Sequence, residues 1–155
     1  MGQALPDAVR ELLDGRDVAG RVGLTILLLT TSDEGWPQVA MLSAGEVLAV
    51  DDRRLRLALW VGSGTTANLS RRQQATVMLV FGGETYYLRV RSRRLADLAL
   101  SRGPRACFEA EVEDVLVDAV AYATVTTGIG FRLNEPEEVL PAWEETVAAL
   151  ATLGE

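Results

Sequence analysis

Apolar positions along the chain recur at two spacings. Ala8, Val9, Leu12 and Leu13 follow a helical period between Pro6-Asp7 and Gly15, which predicts a short amphipathic helix over 6–13. From Val22 to Thr31 the run VGLTILLLTT is β-branched and apolar on both faces, then breaks at SDEGWP; this predicts a strand and a hairpin loop. Residues 38–50 predict a second long or bent strand, ended by Asp51-Asp52-Arg53. Residues 54–61 alternate strictly, with Leu55, Leu57, Leu59 and Val61 on one face and Arg54, Arg56, Ala58 and Trp60 on the other. Two helical turns are expected over 66–72, then a strand over 75–81, a Gly82-Gly83 turn and a strand over 85–95. Residues 107–117 and 122–133 predict two further strands, and Asn134 is placed as the cap of a final helix over 136–153.

Six or seven strands joined mostly by turns, with helices at both termini, describe a mainly β fold, a small antiparallel barrel. The 155 residues are expected to form one domain, with a barrel core over about 22–133 and a helix over about 136–153. The composition then removes whole classes of chemistry. There are 22 acidic against 15 basic residues, a net charge of -7, which argues against nucleic acid as a partner. Histidine is absent, so Ser-His-Asp and Cys-His catalysis are excluded, and no metal site is read. One cysteine, Cys107, excludes an intrachain disulfide and fits a reducing cytoplasm; its expected role is a small buried apolar side chain. No signal peptide or membrane span is read, and Met1-Gly2 with Pro6 fails the myristoylation pattern.

Three features remain as candidates. In LWVGSGTTANL, Leu59 to Leu69, an apolar strand runs into Gly62-Ser63-Gly64 and a helix start, where unpaired N–H groups and a positive dipole end favour an anion. The match to GxGxxA is set aside because 65–72 is too short for a crossover helix, and no Lys follows Gly64 to make a P-loop. Ser63, Thr65, Thr66 and Asn68 together offer neutral donors for one phosphate, or else Ser63 simply caps the helix. The second feature is a stripe of Arg89, Arg91 and Arg93, either an anion-binding wall or the ladder partner of Glu109, Glu111 and Glu113. The third is Trp60, whose ring could flank a planar cofactor, pack in the core or meet a second subunit.

From about 22 to 95 the chain resembles the FMN-binding split β-barrel proteins, the pyridoxamine 5'-phosphate oxidase-like group. The resemblance lies in LLLTTSDEGWPQVAML, LRLALWVGSGTTANL, and ATVMLVF followed by YYLRVRSRRL. It implies a split barrel, a homodimer, and FMN at the subunit interface. By position, Ser63, Thr65, Thr66 and Asn68 would hold the phosphate, Leu59 and Trp60 would line the ring edge, and Leu42 and Ser43 would run along the ring. The chain departs from the family where Lys, often preceded by Arg, is replaced by Gly64-Thr65, and around 40–44, where a basic residue is often found. Replacing two charged donors by neutral ones costs on the order of tenfold to a thousandfold in affinity, part of which Arg71 or Arg72 could restore. The implied function is a flavin-dependent oxidoreductase acting on a small molecule, with no catalytic acid or base named. The alternative is a non-enzymatic dimeric barrel that has lost FMN; the same barrel holding a deazaflavin or haem also stays open.

Overall fold

The computed structural model describes residues 3–153; Met1 and Gly2, on which the myristoylation reading rests, lie outside the described residues. The strands are β1 (Ile26–Thr31), β2 (Pro37–Leu42), β3 (Val47–Ala49), β4 (Arg54–Trp60), β5 (Gln74–Phe81), β6 (Glu84–Arg94), β7 (Leu98–Leu100) and β8 (Gly103–Asp118). Three α-helices accompany them: α1 (Asp7–Leu12), α2 (Gly64–Arg72) and α3 (Pro136–Thr152). All pairings are antiparallel, in the order β2-β1-β5-β6-β8-β4-β3, with β7 beside the start of β8. This curled sheet of seven strands is the expected split barrel. Its two edge strands, β2 and β3, are consecutive in the chain, so the sheet ends meet at the turn over 43–46.

Alternation builds the core. Leu28, Val77, Leu88, Val112, Leu55 and Leu57 are inward residues of successive strands, and all are essentially inaccessible. α1 adds Val9 and Leu12 to the same cluster, and α2 adds Leu69. Gly82 and Gly83 both have positive φ (61° and 81°), as a two-residue turn that follows the strand twist requires. α3 lies on the outer face of β3, β4 and β8, where Val147 and Leu150 pack against Leu48, Ala58 and Cys107.

Besides the short added strand β7, the structure departs from the sequence expectations at four places. The strand expected over 38–50 is two strands, because Ser43 and Glu46 close a turn between them: the Glu46 N–H donates to the Ser43 carbonyl at 3.0 Å. The first strand begins at Ile26 and not Val22, since Gly23 (φ +95°) interrupts the extended run. No strand forms over 122–133; only an isolated bridge, Val120 to Ala123, is present there. A Cβ on Gly128 would lie 3.0 Å from Val80 Cβ, so this segment crosses the face of β5 and offers it no edge to pair with. Asn134 is not the cap of α3; Glu135 precedes Pro136 at that position and makes no side-chain capping bond.

Candidate functional site

The corner between β4 and α2 forms where an inward-alternating strand meets a sequence that favours a helix start. Ser63 is the N-cap: its Oγ accepts the Thr66 N–H at 3.1 Å and donates to Thr66 Oγ1 at 3.0 Å. Thr66 Oγ1 in turn donates to the Trp60 carbonyl at 2.6 Å. Both hydroxyls are therefore spent on shaping the corner. Asn68 is buried, and its Nδ2 donates to Thr30 Oγ1 at 3.0 Å and to Gln38 Oε1 at 3.1 Å, tying α2 to β1 and β2. Thr65 is also buried.

What the corner leaves open is backbone. The Gly64 and Thr65 N–H groups, in the first turn of α2, donate to no group in the described residues. Gly64 is glycine for a local reason, because a Cβ there would meet Gln38 Nε2 at 2.8 Å. A cation at position 64 would thus disturb the amide that Asn68 holds. Arg71 and Arg72 do not supply one: they sit in the last turn of α2, where Arg71 Nε is 3.5 Å from Asp33 and Arg72 donates to the Ser32 carbonyl at 3.0 Å.

The residues expected along a flavin ring fall into two groups. Leu42 and Leu59 are buried in the barrel core, which leaves only their backbone for any ligand. Ser43 and Trp60 lie on the other side of the sheet. Ser43 donates both its N–H (3.0 Å) and its Oγ–H (2.9 Å) to Glu46 Oε1. Trp60 is 56% exposed, and the Arg105 guanidinium lies over its ring, 3.3 Å from the centroid. Arg105 stands directly across the ladder from Trp60. Arg105, Glu46 and Gln38 carry no motif that marks them in the sequence. For Arg105 a signal was there in principle, since it continues the alternation of β8 two residues before Cys107.

The arginine stripe resolves as a ladder. Arg93 is paired with Glu109 across β6 and β8 (2.8 Å), Arg91 with Glu113 and Arg89 with Asp114. A bulge between Arg89 and Val90 places Glu113 beside Arg91. On the same outer face, toward β1, the surface becomes apolar: Met41, Leu27, Met78, Tyr87 and Leu116 form one row across five strands. Met41 is 66% exposed and Leu116 58%.

No protein-family model matches the sequence. The uncharacterized protein YclD of Bacillus subtilis is 34% identical over 146 residues, which cover 94% of this chain and 95% of YclD. Among solved structures, a candidate pyridoxamine 5'-phosphate oxidase of Lactobacillus delbrueckii matches with a TM-score of 0.58 at 14% identity, over 73% of this chain and 93% of that one. HupZ of Group A Streptococcus matches with a TM-score of 0.56 at 11% identity, over 82% of this chain and 98% of HupZ. Among the described residues no helix is long and apolar enough to cross a membrane.

Proposed function

The chain belongs to the pyridoxamine 5'-phosphate oxidase-like family of split β-barrel proteins, and from that footing we propose that it binds FMN as a homodimer and serves as a flavin-dependent oxidoreductase. The observation that carries this reading is the pair of unpartnered N–H groups of Gly64 and Thr65 in the segment where the family holds the flavin phosphate. Ser63 and Thr66 keep that turn in shape, and Asn68 anchors it to the sheet. The flavin would supply hydride or electron transfer, so the missing histidine is no obstacle. Trp60 and the backbone of Leu59, Leu42 and Ser43 would lie along the ring. The exposed apolar row from Met41 to Leu116 supports a second copy of the chain as partner.

Absorbance and calorimetric titration of the purified protein with FMN test the reading. A charge-assisted contact to phosphate exceeds a neutral one by about 0.5–2 kcal/mol, so Thr65→Lys should tighten FMN binding by roughly 2- to 30-fold. Position 64 is avoided because a Cβ there would meet Gln38, and from the buried position 65 the flexible Lys stem has to carry its ammonium outward. One observation favours a second reading, a barrel that has given up FMN: the first turn of α2 has no basic residue, and Arg71 and Arg72 are engaged at its far end. In that case the parent protein fails to bind at high micromolar FMN and Thr65→Lys creates binding where there was none.

A further inference from the structure

We infer that the cleft between α3, the β2–β3 turn, the end of β4 and the β7–β8 hairpin is a binding site for a small zwitterion with the charge pattern of an α-amino acid. Its volume is about 170 Å³, and its walls include Glu46, Trp60, Arg102, Arg105, Trp143 and Glu145. The floor is built and not accidental: Trp143 lies so close on Gly45 that a Cβ there would be 2.1 Å from Trp143 Cγ.

Two opposite charges face this cleft, and neither neutralises the other. Glu46 is half-buried, and its Oε1 is fixed by the N–H and the hydroxyl of Ser43, yet among the described residues no cation lies within 4.0 Å of it. Arg105 is half-buried above Trp60. Its Nη1 donates to the carbonyls of Gly103 (3.1 Å) and Pro104 (3.3 Å), and it too forms no ion pair among the described residues. Burial pushes the Glu46 carboxyl above its ordinary range, against the pull of Ser43 and Arg105. Burial likewise pulls Arg105 below its ordinary value, with Glu46 opposing the shift and Arg102 adding to it.

Half-buried charges held apart in this way gain most from a ligand that answers both. Arg105 has Nε and Nη2 left for a carboxylate, and Glu46 has its second oxygen left for an ammonium. A simple anion would meet Glu46 and Glu145, and a simple cation would meet Arg102 and Arg105. The zwitterion alone satisfies both ends, and the indoles of Trp60 and Trp143 leave an apolar wall for its side chain. The site lies off the α2 corner, sharing only Trp60, whose ring faces the cleft while its carbonyl takes the Thr66 hydroxyl.

Titration of the full chain with the twenty common amino acids, read by the indole N–H signals of Trp60 and Trp143, tests the proposal. At least one amino acid should saturate the shift below about 10 mM. Its counterparts lacking either charge (for L-leucine, isopentylamine and 4-methylpentanoate) should bind at least tenfold more weakly. Arg105→Gln should weaken binding tenfold or more, and so should Glu46→Gln, which keeps an acceptor for Ser43, with the Trp36 signal unchanged. Saturation by none of the twenty, equal binding of the singly charged counterparts, or insensitivity to Arg105→Gln would each overturn it. The amino-acid titration needs no flavin, so a parent protein that saturates with an amino acid and takes no FMN, or the reverse, separates this result from the flavin reading.

Discussion

Glu109→Ala is expected to destabilise the fold by about 3–5 kcal/mol, enough to lower the melting temperature by roughly 10 °C. Although Glu109 stands on the outer side of β8, its side chain is only 8% exposed, and three arginines converge on it. Arg93 Nη2 lies at 2.8 Å, Arg56 Nε at 3.3 Å and Arg54 Nη1 at 3.5 Å. Arg56 is itself buried and donates onward to the Leu150 carbonyl at 2.7 Å, near the end of α3, where helical carbonyls lack partners. Removing the carboxylate leaves Arg56 as a buried charge without a counter-ion and loosens the attachment of α3. Urea denaturation measures the loss, and a change below about 1 kcal/mol would mean that the cluster is solvated like an ordinary surface ladder.

The same cluster has a signature in pH. Burial alone would raise the Glu109 carboxyl, but the hydrogen bonds of Arg93 and Arg56 and the charges of Arg93 and Arg54 hold it below its ordinary 4.5. A carboxyl lowered on folding contributes stability that is complete above its unfolded value and is lost as pH falls through its folded one. The gap between the parent protein and Glu109→Ala should therefore be widest above pH 4.5 and narrow on further acidification. Glu46, raised by burial, acts in the opposite sense: its contribution is full below its unfolded value and is lost as pH rises through its folded one.

The second large effect concerns assembly. Placing Glu at both Met41 and Leu116 puts charges at the two ends of the apolar row. In a two-fold interface each charge is present twice. Desolvation and like-charge repulsion should weaken a dimer through this face at least 100-fold, about 2.7 kcal/mol, while stability of the folded chain changes little at such exposed positions. Sedimentation of the parent and doubly substituted proteins at micromolar concentration reads the change. A monomeric parent, or a dimer indifferent to both charges, would remove the row as the interface.

Most of the barrel is legible in the sequence because its signals are local. Gly82-Gly83 between two alternating runs defines a hairpin, and arginines at 89, 91 and 93 facing glutamates at 109, 111 and 113 anticipate the neighbouring of β6 and β8. Two elements depart from their apolar pattern, one through a side-chain turn and one through a missing edge. The apolar run from Val39 to Val50 hides a turn, because what breaks it is the Glu46 side chain bonding back to Ser43. Residues 122–133 have the composition of a strand, yet a strand needs an edge, and this segment lies across a sheet face. At the α2 corner the residue types were legible and their orientation was not: the hydroxyls of Ser63 and Thr66 bond each other, and the open donors belong to the backbone. Arg105 and Glu46 come together only through the β4–β8 pairing and the β2–β3 turn, which no sequence window contains.

The seat of α3 on Cys107 makes the thiol a clock. Cys107 is fully buried beneath the helix, and burial pushes its pKa up to about 11, so at neutral pH about one thiol in ten thousand is ionised. An alkylating reagent can react at an appreciable rate only in the moments when α3 has lifted from the sheet. The speed of labelling therefore counts those moments, and it reports how often the wall of the zwitterion cleft opens without any ligand in solution.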